Sequence, residues 1–127
     1  MFLPEFDQEY LVAKGLEYGE VQENSKNGLT IKNWVLPPNK FTVDRSDLLI
    51  FLPSGYPDVP PDMFYFLPAL LLKPASRYPR ATEVFESFNG NQWQRWSRHL
   101  GAESWRRGTD GIHTYLKRVD EALIQAS

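Results

Sequence analysis

An α+β domain is the fold class this amino-acid order predicts, on three observations. Short runs rich in apolar, β-branched and aromatic residues lie between Glu20 and Phe66, separated by turn-forming residues. One strongly amphipathic helix is written near the C-terminal end, and only a short helical segment precedes the strands. Helices set apart from a run of strands, instead of alternating with them, are the α+β pattern. With 127 residues, 42% of them hydrophobic, the chain suits a single domain over 1–127 built on one core.

Taken in order, Asp7–Lys14 reads as a short helix bounded by Pro4 and Gly15. Glu20–Gln22, Leu29–Leu36 and Asp47–Phe51 read as three strands, with Thr30, Ile31, Trp34 and Val35 supplying β-forming side chains. Asn24–Gly28 carries hairpin chemistry, and its Asn27-Gly28 pair suits a tight turn. Pro37, Pro38 and Asn39 end the second strand. Met63–Phe66 completes a four-stranded antiparallel meander. Leu67–Phe88 holds Pro68, Pro74 and Pro79 without a sustained period, so the expectation is a long ordered loop. Ile112, Leu116, Val119 and Leu123 share one face of a helix over Ile112–Ala126, capped by Thr109 or Asp110. Lys117, Arg118, Asp120 and Glu121 fall off that stripe and are expected in water. Trp93, Trp96 and Trp105 read as a packed cluster.

Composition removes several function classes. A formal net charge of -2 and a pI near 5.7 argue against a nucleic-acid binder. Cysteine is absent, which excludes disulfides, thiolate metal sites and a cysteine nucleophile, and is compatible with a reducing cytoplasm. His99 and His113 are the two histidines, and no spacing suggests a metal site. No cofactor motif is present. The N-terminal residues do not form a signal peptide, and Met63–Leu72, interrupted by Pro68, is too short to span a bilayer. A soluble protein that engages neither membrane nor nucleic acid is the expectation.

Two stretches carry a resemblance. The first is Leu49–Leu52 followed by Pro53-Ser54-Gly55-Tyr56-Pro57-Asp58-Val59-Pro60-Pro61 and the apolar Met63–Phe66. Prolines preset φ and lack an N–H, so Pro57, Pro60 and Pro61 end a ladder and hold a rigid corner under which Tyr56 can pack. The second is Trp105-Arg106-Arg107-Gly108 leading into the C-terminal helix. A strand, a Tyr-Pro-x-x-Pro-Pro turn, a further strand and a tryptophan before a helix resemble the ubiquitin-conjugating (UBC) superfamily. The Trp93–His99 run and the shortened N-terminus are most similar to its bacterial branch, prokaryotic family E. The resemblance implies a UBC-like fold with a reduced N-terminal helix. It also implies an acyl carrier that takes a ubiquitin-like protein from an adenylating activating enzyme and passes it to an amine. The family setting implies a bacterial conjugation pathway with a role in antiphage defence.

Counting back from Trp105 by the superfamily's spacing to its catalytic cysteine lands on Ser97, and the step back to its active-site asparagine lands on Asn89. Several features depart from the family pattern. Ser87-Phe88-Asn89 replaces the His-Pro-Asn triplet, Ala69–Glu86 reads as an insertion, and the cysteine is missing. Serine does the work, or the domain is inactive, or a cysteine has been replaced. Under the first reading Ser97 is the nucleophile and needs a base, which His99 can supply from two residues away. Asn89 would donate to the oxyanion, while Arg95 and Arg98 would hold acidic parts of the modifier. Each has a structural counterpart: a loop serine, a histidine packed on tryptophan, an Asn-Gly turn and solvated arginines. Beside the oxyester carrier stand an inert UBC-like module that binds a ubiquitin-like protein, and a serine hydrolase. The hydrolase lacks a Gly-x-Ser-x-Gly elbow and an aspartate tied by spacing to His99.

Overall fold

The computed structural model describes residues 2–99 and 104–127. Its elements run α1 (Glu5–Ala13), β1 (Tyr18–Glu23), β2 (Lys26–Val35), β3 (Arg45–Leu52), β4 (Phe64–Leu67), β5 (Phe85–Phe88), β6 (Asn91–Trp96) and α2 (Ile112–Gln125). The strands form one antiparallel sheet ordered β1-β2-β3-β4-β6-β5. The α+β class holds, with a short first helix and a C-terminal helix, but the sheet has six strands, not four. β1 to β4 are the expected meander. β5 and β6 form a hairpin whose second strand pairs with β4. β6 is illegible in the sequence because Gln94, a polar residue, is fully buried in it and destroys the apolar alternation, and β5 because only one of its four residues, Phe88, is buried.

Gln94 also accounts for the segment read as a long loop. Its side-chain oxygen accepts from the Leu70 N–H (2.8 Å) and its amide donates to the Leu70 carbonyl (3.1 Å). The indole N–H of Trp96 donates to the same Gln94 oxygen (3.0 Å). A buried amide with these three partners acts as a length of strand would, satisfying backbone that otherwise pays for desolvation. Thr42 N donates to the Leu71 carbonyl (2.9 Å) and Lys73 N to the Lys40 carbonyl (3.0 Å). Residues 68–73 are thereby laid along 40–42, and Leu70 and Leu72 enter the core.

Alternation along the strands sends side chains to two faces. Leu29, Ile31, Leu48, Ile50, Phe64, Phe66 and Trp96 form the main core with Leu11 of α1 and Ile112, Tyr115, Leu116, Val119 and Leu123 of α2. Burying each such aliphatic side chain contributes about 1.5–3 kcal/mol. Leu49, Tyr65, Phe88 and Trp93 form a smaller cluster on the opposite face, joined by Phe51 and Leu67. The three tryptophans are therefore not one cluster. Trp96, stacked on Phe64, and Trp105, at the proline corner, belong to the main core, whereas Trp93 lies across the sheet in the smaller cluster.

Two turn assignments change. The β1–β2 turn is made by Asn24 and Ser25, both at positive φ, between paired Glu23 and Lys26. Asn27 and Gly28 are strand residues. Gly28 serves close approach instead: a Cβ there would lie 2.7 Å from the Phe88 ring, so its absence lets β5 close over β2. The cap of α2 is Gly111, not Thr109 or Asp110. Its N–H donates to the Thr114 hydroxyl (3.2 Å), while Ile112 N donates to Asp7 Oδ1 of α1 (3.2 Å). Asp110 instead accepts from Arg106 N (2.7 Å).

Candidate functional site

The Tyr56–Pro61 corner joins β3 to β4 and turns inward. The Tyr56 hydroxyl donates to Asp7 Oδ2 (2.6 Å), and Asp7 is only 2% exposed. Burial, followed by the Asp7 carboxylate, drives the Tyr56 pKa far above the usual phenol range, so this hydroxyl stays protonated. The Trp105 indole N–H donates to the Pro57 carbonyl (2.8 Å). One buried aspartate thus ties α1, the corner and the start of α2 together, at the helix end where a carboxylate is favoured. Tyr56, Pro57, Pro60, Pro61 and Trp105 meet in this scaffold.

Ser97 follows the last residue of β6. Its N–H donates to the Ala81 carbonyl (3.2 Å), and Arg98 N donates to the Trp96 carbonyl (2.8 Å), turning the chain off the sheet. Ser97 is half-buried, and its hydroxyl has no hydrogen-bond partner among the described residues. Arg98 lies over the Trp96 ring at 5.0 Å and donates to the Arg80 carbonyl (2.9 Å). Partial burial and the nearby Arg80 charge lower the Arg98 pKa.

His99 Nδ1 stands 3.0 Å from Asp62 Oδ1. The two side chains are 73% and 63% exposed, so the pair adds little stability and its weight falls on orienting the ring. The Tyr115 hydroxyl reaches the Asp62 carbonyl at 3.4 Å, and Asp62 follows the buried Pro61. Asp62 is the acidic partner that sequence spacing did not supply: 37 residues separate it from His99. No hydrogen bond joins Ser97 to His99 among the described residues.

Asn89 is not brought to Ser97. Asn89 and Gly90, both at positive φ, form the two-residue turn of the β5–β6 hairpin. The six residues of β6 separate that turn from Ser97, a span of about 20 Å. Asn89 N donates to Glu23 Oε2 (3.1 Å). Arg95 and Arg98 also part company. Arg95 pairs with Tyr65 in the ladder, on the face of Trp93, where its charge acts on the Tyr65 hydroxyl. Arg98 lines a groove of about 520 Å³ between the end of β6 and α2, together with Arg80, His99, Arg118 and Glu121. Arg80 was not singled out in the sequence because it lies in the segment read as a loop.

Among the described residues no three or more His, Asp or Glu side chains gather as metal ligands, and no helix is long and apolar enough to cross a membrane. A meander with a Tyr-Pro-x-x-Pro-Pro corner between its last two strands, then a tryptophan and a C-terminal helix, is a ubiquitin-conjugating-like layout. The family is settled by comparison: the model of prokaryotic E2 family E matches residues 3–126, and the chain belongs to that family. Family membership assigns the protein a UBC-like conjugating role, with a ubiquitin-like protein and an activating enzyme as the general classes of partner. No curated protein and no solved structure matches the chain.

Proposed function

We propose that the protein carries a ubiquitin-like modifier as an oxyester on Ser97, between an activating enzyme and an amine acceptor. The observation that carries this reading is the placement of Ser97: a half-buried residue whose hydroxyl has no hydrogen-bond partner among the described residues, between the end of β6 and the His99–Asp62 pair. In loading, Ser97 Oγ attacks the carbonyl carbon of the modifier's C-terminal thioester. The O–C bond forms, the C–S bond breaks, and the hydroxyl proton passes through His99 to the leaving thiolate. In discharge, the amine nitrogen attacks the ester carbon, the O–C bond breaks and Ser97 regains a proton. Asp62 at Nδ1 leaves Nε2 of His99 to handle these protons, which requires the ring to swing toward Ser97 in the loaded complex.

Arg98, from its place in the groove, holds acidic parts of the modifier in this reading. Arg95 lies on the other face and would serve a second contact. Asn89 is too distant to donate to the oxyanion, and the Ser97 and Arg98 N–H groups are already taken by the Ala81 and Trp96 carbonyls. An oxyester is less reactive toward amines than a thioester, so discharge is the slow step. The setting that goes with this chemistry is a bacterial conjugation pathway in the cytoplasm, serving antiphage defence.

A second reading has its own support. The sequence has no cysteine, and neither His99 nor Asn89 is hydrogen-bonded to Ser97, as expected of an inert module that binds a ubiquitin-like protein without carrying it. Incubation with activating enzyme, ATP and modifier separates the two. The carrier gives an adduct that resists thiol reductant, is lost to hydroxide or hydroxylamine, and is absent in Ser97→Ala. Saturable binding with no adduct would establish the inert module, and an adduct that persists in Ser97→Ala would remove Ser97 from the mechanism.

A further inference from the structure

Acyl transfer through Ser97 needs a donor for the oxyanion, and the Ser97 and Arg98 N–H groups are engaged elsewhere. A side chain that meets this need lies two residues earlier in the chain. Arg95 N donates to the Val84 carbonyl (2.8 Å) and Ser97 N to the Ala81 carbonyl (3.2 Å), so both N–H groups leave the same edge of the chain. A chain that keeps this alternation sends both side chains to one face, with their Cα atoms about 7 Å apart. The long arginine side chain spans that distance and can lay its guanidinium over an ester on Ser97.

Arg95 is available for this use. Its Nε is buried without an acceptor, and its side chain makes no hydrogen bond or ion pair among the described residues. Glu86, paired with Trp93 on this face, is bonded to Lys26 and accepts from the Tyr65 hydroxyl (3.4 Å). A buried donor left unpaired is costly, and an acceptor that arrives with the substrate accounts for it. The Tyr65 hydroxyl locates the guanidinium. Burial first and then the Glu86 charge raise its pKa to about 12, while the Arg95 charge lowers it and the Asp62 charge raises it. Arg95 and Asp62 are therefore within electrostatic reach of one hydroxyl, and Asp62 is the partner of His99. We propose that Arg95 is a catalytic residue of the Ser97 reaction: its guanidinium pairs with the oxyanion formed at the modifier's terminal carbonyl. This rests on the carrier reading and gives Arg95 its contact, which is the ester itself. When Ser97 Oγ adds to the thioester carbon, the C=O electron pair moves onto oxygen, where the Arg95 N–H groups meet it. Collapse restores the C=O bond and expels the thiolate, which takes the serine proton relayed by His99. In discharge the amine nitrogen adds to the ester carbon, the same oxyanion forms, and Ser97 Oγ leaves with a proton from the amine. A fixed cation at the growing charge favours the transition state over the neutral ester.

Two measurements on the intact protein test it. The first needs neither activating enzyme nor modifier. The chain has no cysteine, so Ser97→Cys places a single thiol at the site, and its alkylation by iodoacetamide is followed against pH. A guanidinium within reach lowers the thiol pKa, so Arg95→Gln in that background is expected to move the alkylation midpoint up by about half a pH unit or more. Arg95→Lys, which keeps the charge, is expected to move it less, and Arg45→Gln on β3 to leave it in place. Equal midpoints with and without Arg95→Gln would overturn the proposal, because the guanidinium then does not face position 97. The second measurement is single-turnover loading and discharge of Ser97 with the modifier-charged activating enzyme. Arg95→Gln is expected to slow both steps by about 100-fold at saturation and to leave the half-saturating concentration within about twofold. A raised half-saturating concentration with the saturated rate unchanged would make Arg95 a binding residue and overturn the proposal. An adduct whose rates ignore Arg95→Gln removes the catalytic role alone, whereas a parent protein that forms no adduct removes the carrier reading and the role with it.

Discussion

The Tyr56–Pro61 corner and the Ser97–His99 strip are both polar turns at sheet ends, yet they use their side chains in opposite ways. At the corner every functional group is engaged within the protein. The Tyr56 hydroxyl meets Asp7, the Trp105 indole meets the Pro57 carbonyl, and Asp7 also holds the first N–H of α2. On the strip the backbone is engaged through the Ala81 and Trp96 carbonyls, and the side-chain partners are at or near the surface: the Arg80 carbonyl for Arg98 and Asp62 for His99. The Ser97 hydroxyl has no partner among the described residues, His99 keeps an exposed pairing, and Arg98 lines an open groove. A segment whose main chain is fixed while its side chains stay available is suited to act on something outside the molecule. A segment whose side chains are consumed internally is scaffold.

Stability measurements can break this contrast. Asp7→Ala leaves the buried Tyr56 hydroxyl and the Ile112 N–H without their acceptor and is expected to cost about 3 kcal/mol, while Ser97→Ala stays within about 0.5 kcal/mol. Urea midpoints of the two variants read this directly, and comparable losses would mean that Ser97 is scaffold too. Tyr56→Phe removes one donor from Asp7 but keeps the ring, so a loss of about 1–2 kcal/mol is expected. A neutral Tyr56→Phe would show that the ring alone makes the corner.

The smallest effect concerns Asp110. Its pKa is lowered below 3.8, first by the Arg106 N–H bond and further by the Arg106 and Arg118 charges. A carboxyl whose folded pKa is depressed contributes its stability in full above the unfolded value and loses it as pH falls through the lower folded value. Asp110→Asn is therefore expected to lower stability slightly at neutral pH, to remove Asp110's share of the loss as pH falls below 3.8, and to match the parent protein at strongly acid pH. An unchanged acid limb in the variant would contradict this.

Much of the frame was legible because its signals are local. The α2 stripe is spaced along consecutive helical turns, and β2, β3 and β4 are written as β-rich runs within a residue or a few of their observed bounds. The corner is spelled by its prolines. The reading failed where a residue's environment comes from afar. Asn27-Gly28 has the letters of a turn, but Phe88 is what requires that glycine. Asn89 has a matching count to Ser97, but a hairpin turn and a strand set them apart. β6 was invisible because Gln94 takes a core position by satisfying Leu70 and Trp96, and β5 because it buries Phe88 alone.

The sequence by itself determined the α+β class, the two helices, the first four strands, the proline corner and the family likeness, because spacing and turn chemistry act between near neighbours. Only the tertiary structure decided the six-stranded order, the Asp7 tie between α1 and α2, the Asp62 partner of His99 and the convergence of Arg80, Arg98 and Arg118 on one groove. Those contacts join residues from separate elements, and no periodicity records which distant side chains a closing sheet and a docking helix bring together.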